Sequence, residues 1–397
     1  MAAELDTDTR APRPPLYNDP RIRGILYQVL VLGLVIAGGW YLIDNTLENR
    51  ARLGVASGFD FLNRLSGFDI SQTLIQFSSS TGSYGRAFIV GLLNTFYVAV
   101  VGIVIATVVG LIMGIARLSS NWLVNRLALI YIEVVRNVPI LLQLIFWYAV
   151  VLASLPPRAD DAIDIGGFAF LYVRGLHLPK PIFGPGSGIV LLSVVVGIVA
   201  VVMMARWART RQERTGEPFP TFLVSLAILI LLPLLAYLIA GRPVSLEIAQ
   251  AGRFRIEGGW VLLPEFLAIT LGLAIYTGSF IAEIVRSGIL AVSKGQWEAS
   301  GALGLSRGQT LRLVIVPQAL RVIIPPQTSQ YLNLTKNSSL GVAIGYPDFF
   351  NIASTINNQT GQAVEVISIT MAVYLLLSLL ISGFMNWYNA KIALVER

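Results

Sequence analysis

An all-α membrane protein of about eight transmembrane helices is the fold class that this sequence predicts. Two observations predict it. The 397-residue chain is 55% hydrophobic and only 13% charged, and a soluble domain of this length normally carries about twice that charged fraction. Eight apolar segments recur along it, several longer than the roughly 18 residues that mark a membrane span. Cysteine is absent, which excludes a disulfide framework and a thiol metal site. The net charge of +7 does not point to nucleic acid, because basic residues fix membrane orientation.

Residues 1–23 read as a disordered cytoplasmic tail, polar and rich in proline (Pro12, Pro14, Pro15). No small-residue cleavage site closely follows the first apolar run, 24–46, so it reads as an uncleaved span and not a signal peptide. With the following loop it forms a unit over 24–86. In that loop, Gly54–Phe77 places Phe59, Phe61, Leu62, Leu65 and Phe68 at helical spacing. An interfacial segment on the outer membrane face and a solvated loop are both open readings.

Spans at 87–116 and 124–153 make the first part of a core, 87–153. Residues 154–262 read as an insertion. It holds two extra spans, 187–205 and 221–241, a loop rich in Pro and Gly (Pro179, Pro181, Gly184, Pro185, Gly186), and a charged hairpin with Arg206, Arg209, Arg211 and Arg214. Spans at 263–286, 314–331 and 365–388 make the second part, 263–388, and complete a five-span core, followed by a cytoplasmic tail, 389–397. The seventh span is short and holds Pro317, Pro325, Pro326 and Arg321.

Basic residues orient the chain. They are denser around Arg21 and Arg23, Arg117 and Arg126, Arg206–Arg214, Lys294–Arg312 and Lys391 than in the longer opposite loops. This bias puts both termini, and the segment 294–317, in the cytoplasm.

Charges within spans are expensive and usually functional or paired. The third span carries Glu133, Arg136, Asn137, Pro139 and Gln143, and the sixth carries Glu283 and Arg286. Both contain Glu-x-x-Arg, whose ends share one helix face. Intrahelical neutralisation and a substrate role stay open for each pair, and the duplication also fits an inverted internal repeat. Pro139 removes a backbone donor and frees a carbonyl one turn earlier. Broken helices of this kind present backbone groups to substrates, and a neighbouring Arg can take a carboxylate bidentately. After the seventh span, Thr335-Lys336-Asn337-Ser338-Ser339 is dense in hydrogen-bonding groups. Lys336 can meet a carboxylate and Asn337 an ammonium group; a snorkelling Lys in a surface loop is the plain alternative. The candidate substrate-binding set is Glu133, Arg136, Asn137, Gln143, Glu283, Lys336 and Asn337. His177 is the single histidine and makes neither a metal site nor a relay. No phosphate loop of the form Gly-x4-Gly-Lys-Ser/Thr occurs, so the chain is not expected to hydrolyse ATP.

The segment from Gly295 to Pro317 has a different character. Small residues let another surface approach a helix, and a glycine supplies a reversal that other residues resist. Its spacing resembles the EAA loop of bacterial ABC importer permeases: Glu-Ala-Ala, three residues, Gly, nine residues, Ile-x-Leu-Pro. Glu298, Ala299, Gly304 and Pro317 match, while Ser300, Val314 and Val316 are mild departures. Together with Gly91-Leu-Leu-Asn94-Thr95, Ala116-Arg117, Tyr131-x-Glu133-x-x-Arg136-Asn137-x-Pro139, Ala282-Glu283-x-x-Arg286 and Lys336-Asn-Ser-Ser-Leu340, the chain resembles the polar amino acid permease family. That family includes the histidine, glutamine and arginine permeases. Its usual Arg-Gly-Thr-Pro stands here as Arg136-Asn137-Val138-Pro139. The long first loop and the two inserted spans look like the larger permease of general L-amino acid importers.

The resemblance implies a type I ABC importer permease core of five helices in the bacterial inner membrane. It also implies a second homologous permease, two ATP-binding subunits that hold ATP and Mg, and a periplasmic amino acid-binding protein. Glu298, Ala299, Ser300, Gly304 and Pro317 would couple this chain to the ATPase, with no catalytic residue, metal or cofactor of its own. An ion-coupled secondary amino acid transporter, with Glu133 or Glu283 carrying protons, is the alternative. A non-transporting membrane scaffold is a third reading, which leaves the charges within spans without a purpose.

Overall fold

The computed structural model describes residues 20–53, 58–252 and 255–392. Most of the expected N-terminal tail, with Pro12, Pro14 and Pro15, lies outside the described residues, as does the C-terminal stretch 393–397. Each of the eight expected segments coincides with helix: α1 (Pro20–Leu53), α2 (Tyr84–Ala116), α3 and α4 (Trp122–Asn137, Ile140–Ile145), α5 (Ser187–Thr215), α6 (Thr221–Ile239), α7 (Pro264–Leu290), α10 (Val316–Asn337) and α12 (Ala363–Ile392). Three shorter helices complete the set: α8 (Lys294–Ala302), α9 (Arg307–Thr310) and α11 (Phe349–Thr360). Among the described residues, six helices are long and apolar enough to cross a membrane, or seven if the bent pair around α3 and α4 is one span. Helix α10 is the remaining one, and Pro325 and Pro326 lie inside it.

Local chemistry sets the helix ends. Ser83 caps α2, its Oγ accepting from the Arg86 N–H, and Asn121 caps α3 by accepting from the N–H groups of Leu123 and Val124. Pro264 stands in the first turn of α7, where its missing N–H has no cost. The third segment is broken at the proline: it bends by 107° at Val138–Pro139, between Trp122–Asn137 and Ile140–Ser154. Proline cannot donate to the preceding turn and biases the residue before it towards extended backbone, and Val138 is extended.

Helix α7 is the centre of the bundle. Two thirds of its apolar window (67%) is buried, against none of that of α1. Lipid offers no hydrophobic drive for helices to associate, so small residues and close approach must supply contact. Gly114 of α2 shows this: a Cβ there would lie 2.7 Å from the Ala282 carbonyl oxygen of α7. Val98 and Ala106 of α2, Leu273, Ile281 and Val285 of α7, and Ala319, Ile323 and Leu334 of α10 form the main core. A second core joins α2, α11 and α12 through Phe88, Phe349, Ile352, Ile356 and Val366.

The described part of Gly54–Phe77 is neither a free interfacial helix nor a solvated loop. Phe61 is completely buried, and Phe61 and Phe68 pack with Tyr84 in the second core. The aromatic payload explains this: a ring buries more area than any polar contact returns from water. Asn94 and Thr95 clamp the same end. Asn94 Nδ2 donates to the carbonyls of Gln72 and Pro347, and Thr95 Oγ1 accepts from the Phe349 N–H.

The insertion folds largely on itself. Helices α5 and α6 pack as a hairpin whose base is closed by β4 (Lys180–Phe183) against β5 (Val244–Glu247). Lys180 stands opposite Glu247 in that register, a favourable cross-strand pair. Beside it, β1 (Ile163–Ile165), β2 (Ala169–Tyr172), β3 (Gly175–Leu178) and β8 (Trp260–Leu262) form an antiparallel sheet in the order β1-β2-β3-β8, and β6 (Gln250–Ala251) pairs with β7 (Ile256–Glu257). The stretch read as a Pro- and Gly-rich loop is therefore partly strand. Its β-branched and aromatic residues alternate over runs too short to stand out beside the spans.

Candidate functional site

The segment expected to couple the chain to an ATPase leaves the bundle at the end of α7. Trp297 and Ser300 of α8 face inward: Trp297 packs on the main core, and Ser300 is buried with its Oγ donating to the Gln296 carbonyl. Gln318 Nε2 donates to Gln296 Oε1 and ties α8 to α10. Glu298 and Ala299 face outward and are exposed. Gly304 ends the element with φ +73°, the left-handed backbone that favours glycine. Ser306 and Gln309 then form a reciprocal capping box that starts α9. A π-helical turn, Leu311–Ile315, leads into Pro317 in the first turn of α10. Leu303, which the motif reading did not single out, is 80% exposed beside Gly304. Its signal lay in an apolar residue immediately before the turn glycine.

The charged residues of the spans behave unequally. Arg286 and Glu283 form an ion pair one turn apart, with Nη2 to Oε1 at 2.6 Å and Nε to Oε2 at 3.0 Å. Glu133 and Arg136 have the same spacing, yet no ion pair joins them among the described residues, and both are exposed. Arg136 instead crosses to α7 and lies 5.0 Å from the ring centroid of Phe280. Phe280 and Glu283 stand three residues apart on α7 and so share one helix face. Charges inside a membrane each cost roughly 2.5–3.5 kcal/mol on insertion scales. The Glu283–Arg286 pair offsets part of that cost, while Arg136 and Glu133 make no ion pair among the described residues. Phe280 was missed in the sequence because an aromatic residue in an apolar run carries no polar signal.

Asn137 and Gln143 attend to the break itself. Asn137 Nδ2 donates to the Glu133 carbonyl at 2.7 Å. Gln143 is buried, and its Nε2 donates to the carbonyls of Val135 (2.8 Å) and Val138 (2.9 Å). Both amide hydrogens of Gln143 are thus spent on backbone oxygens that Pro139 and the bend leave without helical partners. Lys336 is elsewhere. With Ser339 and Tyr374 it lines an open recess of about 480 Å³ against α11 and α12. No hydrogen bond, ion pair or ring contact joins this recess to Arg136 or Glu283 among the described residues. Asn337 lies at the C-terminal end of α10, half-buried. No group of three or more metal-ligating side chains occurs among the described residues.

Residues 197–394 match the family model described as the inner membrane component of binding-protein-dependent transport systems. The general L-amino acid transport system permease protein AapQ of Rhizobium johnstonii is 51% identical, over 96% of this chain and 94% of that protein. The chain belongs to this permease family. It is a permease and not itself an enzyme. Nearly end-to-end likeness extends to the putative amino-acid ABC transporter permease protein YhdX of Escherichia coli, 49% identical over 96% of this permease and 97% of that one. A crystal structure of an amino acid ABC transporter with histidines aligns with 78% of the permease and 95% of its own chain, at 21% identity and a TM-score of 0.46.

Proposed function

We propose that this permease moves L-amino acids from periplasm to cytoplasm by alternating access, driven by a separate ATPase that grips the segment 294–317. The observation that carries the reading is the outward-facing turn of Glu298, Ala299, Leu303 and Gly304, built onto the core yet left exposed among the described residues. Near-complete likeness to permeases named for amino acid transport supports the substrate class. A loaded periplasmic amino acid-binding protein docks on the face that bears the β-sheets. A second homologous permease covers part of the exposed helical surface, and two ATP-binding subunits hold ATP and Mg on the cytoplasmic side, where both termini also lie. Closure of the ATPase pair pushes α8, and α8 moves α7 and α10 through Trp297 and Gln318.

A zwitterion then meets a carboxylate-binding Arg136 and an ammonium-binding Glu283 or Glu133 beside the broken helix. Lys336 and Asn337 serve a second polar station on the path. Reconstituted complex, assayed with a panel of L-amino acids, tests the reading: uptake needs ATP and survives a protonophore. Uptake driven by a proton or sodium gradient without ATP would instead establish the secondary transporter.

A further inference from the structure

Two tethers hold the bent pair against α7, and a third set of contacts braces the bend itself. Near one end, the Tyr131 hydroxyl donates to the Ile275 carbonyl at 2.6 Å. Near the other, the Tyr148 hydroxyl donates to Glu265 Oε1 at 3.0 Å. Between them stands the elbow, where Gln143 bonds to Val135 and Val138 across the 107° bend. The two end tethers fix where each arm lies. Gln143 braces the angle between the arms directly: it is rooted in α4, and its acceptors are Val135 at the end of α3 and Val138 in the break. Arg136 sits between those two acceptors in sequence, so the strut also sets the direction in which its guanidinium leaves the backbone.

We infer that Gln143 is a positioning residue: by strutting the elbow it aims Arg136 across Phe280 towards Glu283. The inference rests on the substrate reading given above. It differs from a direct substrate role in a way that chemistry can separate. A side chain that received an ammonium group through its oxygen would tolerate or prefer a carboxylate. A strut that donates to two carbonyl oxygens cannot. Gln143→Glu keeps the shape, removes both donors and sets like partial charges against each other; Gln143→Leu keeps bulk and removes all polarity.

The absence of cysteine allows spin labels at Leu127 and Val150, one exposed position on each arm, in the assembled complex with its ATPase. Electron–electron distance measurement should show a narrow distribution in the otherwise unchanged chain and a broad one in both Gln143 variants. In proteoliposomes with the binding protein, both variants should raise the KM of uptake roughly tenfold for acidic, neutral and basic amino acids together, with basal ATPase activity retained. An unchanged distance distribution overturns the inference, as does a widened one with unaltered uptake, or tighter uptake in Gln143→Glu. Arg136→Gln separates this from the parent reading. If it transports normally while its distance distribution stays narrow, the substrate reading has failed, and the strut is judged on the Gln143 distances alone.

Discussion

Arg136 lies over the ring of Phe280, 5.0 Å from its centroid, and makes no ion pair with Glu133 three residues earlier. The sixth segment carries the same Glu-x-x-Arg pattern, and there the pair does close. Both Glu133 and Arg136 lie within α3, so helix geometry permits the pair. The difference follows from the packing of α3 against α7, which sets the Phe280 ring beside the guanidinium. A cation over an aromatic face keeps its hydrogen-bonding edge free, which suits a group that must hold and release a carboxylate.

Replacing Arg136 by Gln should therefore lower uptake of every amino acid class. Loss of a charge-assisted contact costs roughly 1.5–3 kcal/mol, or about 10- to 150-fold in an equilibrium. Basal ATPase activity of the complex should persist. Uptake assays with one acidic, one neutral and one basic amino acid decide it; a fall confined to one class would mean that Arg136 reads side chains.

Gly304→Val should uncouple the protein from its ATPase. No atom lies within 4 Å of a Cβ built at Gly304, so the damage comes from backbone and not from collision. A β-branched residue at φ +73° is strained, and the turn that presents Leu303 would relax. Membrane insertion should survive, while copurification of the ATPase and stimulation by loaded binding protein should both be lost. Full ATP-coupled uptake in this variant would remove the glycine from the coupling role.

Orientation is checked with two cysteine variants. Phe168, in the turn between β1 and β2, and Gln212, near the end of α5, are both exposed. In intact cells with a permeable outer membrane, an impermeant thiol reagent should label the cysteine at 168 and leave that at 212 untouched. The opposite pattern would invert the topology.

Asp348 predicts a pH effect. It lies between α10 and α11, outside the spans, with no exposed surface. Burial pushes its carboxyl up to about 7, against the opposing pull of the Asn351 and Phe350 N–H groups and the Tyr374 hydroxyl. The folded protein therefore keeps a proton that the unfolded chain releases near pH 4. Stability falls as pH rises from about 4 to 7, by on the order of a few kcal/mol. Asparagine can keep the cap on α11. Thermal melts of the detergent-solubilised protein should decline from pH 5 to 8, and Asp348→Asn should flatten that slope. An equal slope in the variant would assign the effect to another group.

His177 should act with the opposite sign. It is 4% exposed in the middle of the four-stranded sheet, with neither ring nitrogen hydrogen-bonded among the described residues and Tyr172 5.4 Å away. Burial lowers its pKa below the ordinary 6.5, so the sheet holds neutral imidazole and loses stability as pH falls below that value. His177→Phe removes an orphaned buried polar group, whose cost is about 1–3 kcal/mol. Proteolysis of the insertion at pH 5 should be slower in the variant; faster cleavage would reveal a partner for the imidazole.

The sequence by itself determined the membrane class, the eight helical segments, the break at Pro139 and the reversal at Gly304. Each follows from a short-range cause: residue apolarity over a span's length, a missing N–H, a backbone that tolerates positive φ. What it could not determine is which polar group meets which. Glu133–Arg136 and Glu283–Arg286 are identical in spacing, and only the packing of α3 against α7 gave one Arg to a carboxylate and the other to a ring. Nor does the sequence show that the bend sets two carbonyl oxygens within reach of the Gln143 amide. The short strands of the insertion were hidden for the same reason, since their pairing partners, Leu176–Leu178 and Trp260–Leu262, stand on opposite sides of an intervening helical hairpin. Contacts between distant segments depend on where the chain folds back, and that is a property of tertiary structure.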